Sequence, residues 1–279
     1  MKKIGFIGQG WVGKNYADYF EESGFPTIRY ALEEPYKANK DKITDCDIVF
    51  IAVPTPSTPE GFDDSIVRAA VKFVGKNKLA VIKSTILPGT TRSIQKENPE
   101  ISVFHSPEFL REATARKDTF SPDRNIIGIT ENTEKLNKLA LEVMEILPKA
   151  PYEKICKAEE AEITKYGGNN FLFWKVVFMN MLYDMALASG ADWNVVAENL
   201  TADPRIGKSH MQPVHQSGRG AGGHCFIKDF AALSEFYGKT TGDRTGVALL
   251  ATLRNKNIEL LKGTGKDLDI IESIYGKII

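Results

Sequence analysis

Short continuous apolar runs alternate with segments of helical spacing through the first half of the chain. Runs of this kind are typical of parallel strands that are buried on both faces of a sheet. Strands are predicted at residues 3–7, 26–30, 48–53, 79–82, 101–104 and 125–129. Helices are predicted in between, among them residues 66–74 and 133–146. This alternation predicts an α/β fold with a doubly wound, Rossmann-type parallel sheet covered by helices.

The second half of the chain shows helical spacing instead. From Ala158 to Ser189 this spacing continues without a proline, and apolar side chains cover much of the helix circumference. A further strong helix is predicted at residues 245–261. Because the alternation of strands stops near residue 150, we predict a Rossmann-type domain over residues 1–150 and an all-helical domain over residues 151–279.

A glycine-rich turn separates the first predicted strand from the helix that follows it. Gly8, Gly10 and Gly13 have the G-x-G-x-x-G spacing of a dinucleotide-binding turn. In such a turn the first glycine permits the tight bend, the second lets a pyrophosphate approach the backbone, and the third packs the helix against the strand. The pyrophosphate then lies at the helix N-terminus. The sequence predicts a dinucleotide site here, against the alternative of an ordinary glycine turn.

The type of dinucleotide depends on the end of the second predicted strand, where an acidic residue is expected to bind the ribose 2′-hydroxyl. Ala31 occupies that position, with Glu33 and Glu34 close behind. Arg29 carries a charge that could instead meet a 2′-phosphate. We predict NAD as the cofactor, and NADP stays open.

Charge and cysteine content narrow the class of protein. Lys plus Arg and Asp plus Glu both number 36 among 279 residues, so no net field favours a nucleic acid or a membrane surface. Cys46, Cys156 and Cys225 are odd in number and far apart, which suits neither a disulfide framework nor a metal site. We expect no membrane-spanning run, no signal peptide and a cytoplasmic location.

Polar residues recur where the predicted strands end. Thr55, Ser84 and Thr85 follow two strands, and Glu108 and Glu112 follow another. Ligands of doubly wound sheets bind beside the carboxyl ends of the strands, so these residues are candidates for a site. The alternatives are that the hydroxyl groups cap helices and that Glu108 and Glu112 share a solvated helix face.

Lys165 and Asn169 are spaced to share one face of the long predicted helix. Many of their neighbours are aromatic or aliphatic, which predicts a helix that is buried on several sides. A lysine in that setting either extends its ammonium group to solvent or serves a function.

Cys225 follows three glycines within residues 220–223, and Lys228 and Asp229 come shortly after it. Helical spacing begins at Phe226, so Cys225 is predicted at a helix start. The N–H groups and the dipole at such a position favour a thiolate. Two interpretations stay open: a reactive thiolate, and a small buried residue beside a glycine turn.

Taken together, these blocks resemble the UDP-glucose/GDP-mannose dehydrogenase family. They occur in family order at residues 8–13, 53–56, 83–91, 106–112, 161–180, 203–207 and 222–229. The resemblance implies an NAD-dependent enzyme of nucleotide-sugar metabolism and polysaccharide biosynthesis, similar to UDP-glucose 6-dehydrogenase. Such an enzyme oxidises a primary alcohol to a carboxylate in two hydride transfers, through a thiohemiacetal and a thioester on Cys225.

The resemblance implies roles for individual residues. Those implied in catalysis are Cys225, Lys165, Asn169, Asp229, Glu112 and Thr85. Those implied in cofactor binding are Gly8, Gln9, Gly10, Trp11, Val12, Gly13, Val53, Pro54, Thr55, Thr85, Glu112 and Lys228. Those implied in substrate binding are Glu108, Phe109, Leu110, Arg111, Lys165, Asn169, Arg205, Gly220 and Gly222.

Within this set, Lys165 and Asn169 would hold the alkoxide or hemiacetal oxygen, and the Lys165 charge would raise the thiolate fraction of Cys225. Glu112 and Thr85 would position the hydrolytic water. Asp229 would orient Lys165 or hold a water molecule.

The resemblance also bears on assembly and substrate. In the family Arg205 reaches the site of the neighbouring subunit, which implies a homodimer built on the helix from Ala158. Members of the family carry a third, C-terminal domain that holds the nucleotide, and this sequence stops where that domain would begin. Ala221 stands where the family usually has an aromatic residue. The identity of the sugar and the need for a nucleotide therefore stay open.

Two other functions remain as alternatives. A single-step dehydrogenase of the β-hydroxyacid or 6-phosphogluconate type shares the glycine turn, the size and a helical lysine with asparagine four residues on, but it needs no cysteine. A non-catalytic NAD-binding accessory protein is the other alternative. The joint presence of Lys165, Asn169, Cys225 and Asp229 argues against it, because an unused site loses such residues.

Overall fold

The computed structural model describes residues 1–277, which form two compact units. The first unit contains residues 1–56 and 63–165, and the second contains residues 57–62 and the chain from residue 166 onward. The domain boundary expected near residue 150 stays a prediction; the compact units divide inside the long helix instead. The last two residues of the predicted 151–279 domain lie outside the described residues.

The first unit is built on a sheet that has seven strands within residues 1–277, in the order β2-β1-β3-β4-β5-β6-β7. The strands are β1 (Ile4–Ile7), β2 (Thr27–Tyr30), β3 (Ile48–Ile51), β4 (Leu79–Ile82), β5 (Ser102–His105), β6 (Arg124–Ile129) and β7 (Tyr152–Lys157). β1 pairs in parallel with both β2 and β3, so the strand order reverses direction there. A doubly wound sheet binds its ligand at such a switch point. The predicted Rossmann-type class is confirmed.

Two details of the sheet differ from the prediction. β7 continues the sheet beyond residue 129, where we expected the last strand, and it pairs in parallel with β6. Its residues are mostly exposed and half of them are charged, as suits an edge strand, so no apolar run marks it. In addition, β5 and β6 meet through the single antiparallel pair His105 and Gly128, so the sheet is not parallel throughout.

The helices of this unit are α1 (Trp11–Glu22), α2 (Ser65–Val71), α3 (Thr90–Glu97), α4 (Ala115–Phe120) and α5 (Glu134–Ile146). Four of them pack against the sheet, and α4 packs against α1. Phe6, Phe20 and Phe50 join β1, α1 and β3 in one aromatic cluster, with ring centroids 5.1–5.6 Å apart. All three rings are fully buried. This cluster packs α1 against β1 and β3.

The second unit is mainly helical. Its helices are the later part of α6 (Ala158–Ser189), α7 (Trp193–Thr201), α8 (Gly223–Thr241), α9 (Arg244–Thr264) and α10 (Leu268–Tyr275). Phe173 of α6 stacks on Phe230 of α8 with ring centroids 4.1 Å apart. Residues 151–279 are not all helical as expected, because β7 lies in the sheet of the first unit and Val214–His215 pairs with Gly218–Arg219 in an antiparallel hairpin. A second hairpin of this unit pairs Ser57–Thr58 with Gly61–Phe62.

α6 is long and apolar enough, by length and composition, to cross a membrane, and it is the one such helix within residues 1–277. The expectation that no run reaches spanning length is therefore wrong by that criterion. Phe173 and Val177 of α6 belong to one core of the second unit, and Met179 and Ala186 belong to another. We interpret α6 as a core helix.

Candidate functional site

The glycine turn after β1 has the backbone geometry that a dinucleotide site requires. Gly8 adopts φ +91°, and a Cβ there would lie 2.2 Å from the carbonyl oxygen of Ala52. A Cβ on Gly13 would lie 1.9 Å from the carbonyl oxygen of Gly8, so only glycine lets α1 approach the turn. A Cβ on Gly10 would have no atom of the described chain within 4 Å, which leaves space for a pyrophosphate at the start of α1.

The remaining residues of the turn serve it in different ways. Trp11 begins α1 and is 63% exposed. Val12 packs against the core of the first unit. The side-chain amide of Gln9 donates to the carbonyl oxygen of Gly8 at 3.0 Å. Gly10, the N-cap residue, has no side chain with which to cap α1, so it leaves the first N–H groups of the helix available to a ligand.

The loops after β3 and β4 are tied to one another by hydroxyl groups. Ser84 accepts from the N–H of Val53 at 3.0 Å and donates to its carbonyl oxygen at 2.7 Å. Thr55 donates from Oγ1 to the carbonyl oxygen of Thr85 at 2.8 Å. Ser84 therefore bridges two loops rather than capping a helix. Pro54 is exposed between the tied positions. The structure brings together the cofactor candidates Val53, Thr55 and Thr85.

Arg29, which we considered as a partner for a 2′-phosphate, is already paired. Its guanidinium group donates to Glu21 at 2.8 and 2.6 Å and to Asp18 at 2.7 Å. Burial lowers the pKa of Arg29, but the hydrogen bonds with Glu21 and Asp18 outweigh that effect and the net shift is upward. Two carboxylates thus neutralise the guanidinium, and Ala31 after it is buried.

Lys165 and Glu108 form a close ion pair in the first unit. Nζ of Lys165 lies 2.7 Å from Oε1 of Glu108 and donates to its carbonyl oxygen at 2.8 Å. Both side chains are largely buried. Oε2 of Glu108 accepts from the N–H of Leu110 at 2.6 Å, and the ring of Phe109 lies 5.6 Å from the Lys165 ammonium. Lys165 does not extend to solvent, so that interpretation is wrong.

Arg111 and Glu112 lie just beyond this pair. Arg111 is bound by Asp118, with Nη2 2.5 Å from Oδ1 and Nε 2.9 Å from Oδ2, and its pairing lowers the pKa of the Asp118 carboxyl. Glu112 begins a 3₁₀ turn, whereas residues 106–111 are irregular. The proposed helix face shared by Glu108 and Glu112 does not exist. Glu112 lines a cavity of about 610 Å³ together with Trp11.

Three buried polar residues at the strand ends, Lys83, His105 and Ser106, were not predicted from the sequence as site residues. Nζ of Lys83 donates to the carbonyl oxygen and to Oγ of Ser106 at 3.1 and 3.2 Å, and it lies 4.1 Å from the ring of Tyr16. Burial lowers the pKa of Lys83 to about 7. Burial, and then the charge of Lys83, lower the pKa of His105 to about 3. The feature of the sequence that could have identified Lys83 is its position directly after an apolar strand.

In the second unit, Cys225 occupies the first turn of α8, as predicted. α8 begins at Gly223, and Cys225 is exposed. The interpretation of a small buried residue is therefore wrong. Cys46 is buried, and burial raises the pKa of its thiol to about 11.

Asn169, Lys228 and Asp229 also meet in the second unit. Nδ2 of Asn169 donates to Oδ2 of Asp229 at 2.6 Å. Nζ of Lys228 lies 3.0 Å from Oδ1 of the same carboxylate, and Asp229 is 1% exposed. The backbone carbonyl of Lys228 accepts from Ser57 at 3.2 Å. The Asp229 carboxylate thus orders one residue of α6 and one of α8.

Arg205 lies on the surface of the second unit. Its side chain is 88% exposed and pairs with Asp203, with Nη2 2.6 Å from Oδ2. Within the described residues of its own unit, the ion pair with Asp203 fixes this guanidinium at the surface.

The backbone before Cys225 is held by residues that no sequence motif marks. Gly220 adopts φ +87°, and Gly222 lies against Asp267 and Lys266. Asn257 hydrogen-bonds both backbone groups of Ala221. No local pattern predicts these contacts, because the partners lie 36 or more residues away in the sequence.

Comparison with known proteins finds two matching family models, which together cover most of this chain. Residues 32–147 match the NAD binding domain of the UDP-glucose/GDP-mannose dehydrogenase family, and residues 159–258 match its central domain. UDP-glucose 6-dehydrogenase TuaD of Bacillus subtilis is 29% identical over 327 residues, which covers 100% of this chain and 68% of the relative. Relatives that carry the name UDP-glucose 6-dehydrogenase are covered over 44–68% of their length.

Two solved structures add to this comparison. A UDP-glucose dehydrogenase from Pyrobaculum islandicum matches with a TM-score of 0.77 and 29% identity, covering 91% of this chain and 68% of that one. A 3-hydroxyisobutyrate dehydrogenase from Mycobacterium tuberculosis matches with a TM-score of 0.73 and 16% identity, covering 99% and 98%. The second match shows the fold alone.

Proposed function

Because this chain belongs to the UDP-glucose/GDP-mannose dehydrogenase family, we propose that it oxidises the primary alcohol of a sugar nucleotide of the UDP-glucose type to the carboxylate. The reaction consumes two NAD and one water and yields two NADH. The observation that carries the proposal is Cys225, exposed in the first turn of α8 behind a glycine-rich segment. A helix N-terminus favours the thiolate form of such a cysteine.

The glycine turn at residues 8–13 would hold the cofactor, with its pyrophosphate at Gly10. NAD supplies the hydride acceptor for both oxidation steps. The hydrogen bonds of Arg29 with Glu21 and Asp18 support NAD over NADP, because a 2′-phosphate would have to displace two carboxylates from the guanidinium. Val53, Thr55 and Thr85 would line the adjoining loops.

In the first step the alcohol carbon loses a hydride and the hydroxyl loses a proton, which gives the aldehyde. The Sγ thiolate of Cys225 then forms a C–S bond to the aldehyde carbon, and the carbonyl electron pair moves to oxygen. Loss of a second hydride from that carbon restores the C=O bond and gives a thioester. Water adds to the thioester carbon, the C–S bond breaks, and the acid leaves.

Charged and polar groups would assist these steps. The Lys165 ammonium and the Asn169 amide would stabilise the oxygen that carries negative charge. Glu108 holds Lys165 in place, and Asp229 holds Asn169. Glu112 and Thr85 would position the hydrolytic water, with Phe109, Leu110 and Arg111 in the wall of the substrate site.

We also propose a homodimer formed along α6. Large apolar side chains are exposed on one stripe of this helix at helical spacing: Phe171, Trp174, Phe178, Met181 and Met185 are between 37% and 67% exposed. A second copy packed about a two-fold axis would cover the stripe with the same stripe, which is self-complementary. Arg205, exposed on this unit, would then reach the site of the neighbouring copy.

The stoichiometry of NADH tests the proposed function. With UDP-glucose, other sugar nucleotides and the corresponding sugar phosphates as a panel, two NADH per sugar are expected from the accepted substrate. Cys225→Ser should stop the reaction before the acid, whereas Cys156→Ser should leave it unchanged. One NADH per turnover, indifferent to Cys225→Ser, would favour the single-step dehydrogenase that shares this fold.

A further inference from the structure

Asn257 of α9 fixes the backbone just before Cys225. Its Oδ1 accepts from the N–H of Ala221 at 2.7 Å, and its Nδ2 donates to the carbonyl oxygen of Ala221 at 2.9 Å. Both Ala221 and Asn257 are buried. One side-chain amide thus satisfies both backbone groups of a residue that belongs to no helix or strand.

Lys266, between α9 and α10, holds the same segment from another direction. Its Nζ donates to the carbonyl oxygen of Gly220 at 3.3 Å and to that of His215 at 3.2 Å. The residue is 5% exposed. Burial lowers the pKa of Lys266, while the neighbouring Asp267 carboxylate acts to raise it.

Asp267 makes the third contact, at the first residue of α8. Its Oδ2 accepts from the N–H of Gly223 at 2.7 Å. Asp267 directly precedes α10, yet its side chain does not cap that helix. It also adopts φ +52°, a conformation that is uncommon for residues other than glycine. A strained residue whose side chain serves a different helix is held there by its tertiary contacts.

Gly222 is explained by this arrangement. A Cβ at Gly222 would lie 2.1 Å from Oδ2 of Asp267 and 2.6 Å from Cε of Lys266. The glycine-rich segment therefore admits these two side chains against the backbone. Three glycines within residues 220–223 give the segment little stiffness of its own, so its rigidity has to come from outside.

We propose that Asn257, Lys266 and Asp267 form a clamp that positions Cys225 for attack on the aldehyde. The inference rests on the proposed function, in which Cys225 is the nucleophile. All three are positioning residues, since they hold the backbone of residues 220–223 and act through it. A displacement of about 1 Å at a nucleophile can cost on the order of 100-fold in rate, so contacts that fix the backbone beside Cys225 support the chemistry.

Substitutions at Asp267 in the full chain distinguish a role in positioning Cys225 from a role in overall stability. Asp267→Gly removes the carboxylate and adds no backbone strain, because glycine adopts a positive φ freely. Asp267→Asn keeps an oxygen acceptor for the N–H of Gly223 and also tolerates this φ. Asp269→Asn, an exposed carboxylate two residues on, is the matched control.

Three readouts are compared: amide hydrogen exchange of residues 220–226, the alkylation rate of Cys225 by iodoacetamide relative to Cys156 in the same sample, and kcat with KM for NAD. For Asp267→Gly we expect exchange about tenfold faster, a changed alkylation ratio, and kcat lower by about 30-fold with KM for NAD within about twofold. Asp267→Asn should recover most of kcat, and Asp269→Asn should match the unchanged chain.

Exchange in Asp267→Gly that equals the control overturns the clamp, and so does faster exchange with an unchanged kcat. If Asp267→Gly does not fold, Asn257→Ser is judged by the same criteria. If the unchanged chain oxidises no sugar in the panel, the proposed function fails. The clamp is then decided by exchange and by the alkylation ratio of Cys225, which need no turnover.

Discussion

The carboxylate of Glu162 accepts two hydrogen bonds from Thr91, from the backbone N–H at 2.8 Å and from Oγ1 at 2.6 Å. It accepts a third from the N–H of Gly89 at 2.6 Å. These bonds join the first turns of α6 to the first turn of α3 inside the first unit. Thr85 lies on the loop that leads into α3, and Lys165 lies three residues after Glu162. Burial raises the pKa of the Glu162 carboxyl, against the hydrogen bonds that lower it.

Glu162→Gln should lower the free energy of unfolding by roughly 2–3 kcal/mol, because an amide NH₂ would face donors in a fully buried site. Urea unfolding measures the change. Glu159→Gln is the matched control one turn earlier, where a part-exposed carboxylate pairs with Arg92, and should cost below about 1 kcal/mol. Equal losses for both variants would contradict the assigned role of Glu162.

Alanine substitutions at Gly13 and Gly10 should affect different properties: the first should lower stability, and the second should weaken NAD binding. Gly13→Ala places Cβ 1.9 Å from the carbonyl oxygen of Gly8 and should cost about 3 kcal/mol of stability. Gly10→Ala meets no atom of the described residues within 4 Å and should leave stability within about 1 kcal/mol. It should nevertheless weaken NAD binding about tenfold or more, since its Cβ enters the space proposed for the pyrophosphate.

Urea unfolding and NAD titration of the two variants measure these effects. A stable Gly13→Ala protein, or a Gly10→Ala protein that binds NAD normally, would contradict the interpretation of the turn.

Lys83 should make stability depend on pH. With its pKa lowered to about 7, folded Lys83 loses its proton above pH 7, whereas the unfolded chain keeps it up to about pH 10.4. The unfolded state then binds more protons, so the free energy of unfolding should rise with pH between about 7 and 8.5, by up to about 1.4 kcal/mol per pH unit.

Lys83→Met should remove this slope, and Lys76→Met, at an exposed lysine, should retain it. Chemical denaturation at about pH 6.5, 7.5 and 8.5 decides the matter. An identical pH dependence in all three proteins would show that Lys83 is not the group responsible.

A charge on the exposed stripe of α6 should separate the proposed dimer. Phe178→Glu places a carboxylate among apolar side chains that the second copy would cover, and a buried unpaired charge is costly. Light scattering coupled to size exclusion should report a dimer for the unchanged chain and a monomer for the variant. Val195→Glu, at an exposed apolar residue on α7, should stay dimeric. If the protein without substitutions is a monomer, the dimer proposal is wrong.

The sequence predicts the interior of the sheet well and its edges poorly. β1, β3 and β4 are completely buried, so each one is a continuous apolar run that the pattern reveals. β7 pairs on one side only and keeps charged side chains, so its hydrophobic pattern is that of a loop segment and not of a buried strand. The glycine turn was predictable because its three glycines fall within six consecutive residues directly after an apolar run.

The candidate site divides in the same way. Cys225 at a helix start follows from local spacing, whereas the ion pair of Lys165 with Glu108 depends on segments 57 residues apart. The clamp on residues 220–223 was beyond prediction for the same reason: Asn257 and Asp267 contact residues 36 and 44 positions earlier. Only the folded chain selects these partners.

The hairpin at residues 57–62 has a consequence for dissecting this polypeptide. Because it belongs to the second unit, the chain passes from one unit to the other after residues 56, 62 and 165. A fragment that starts at residue 166 lacks the Ser57 hydroxyl, which donates to the carbonyl oxygen of Lys228 in the helix that carries the cysteine. Neither unit can be released whole by a single cut, and a chimera of two relatives would have to exchange both segments together.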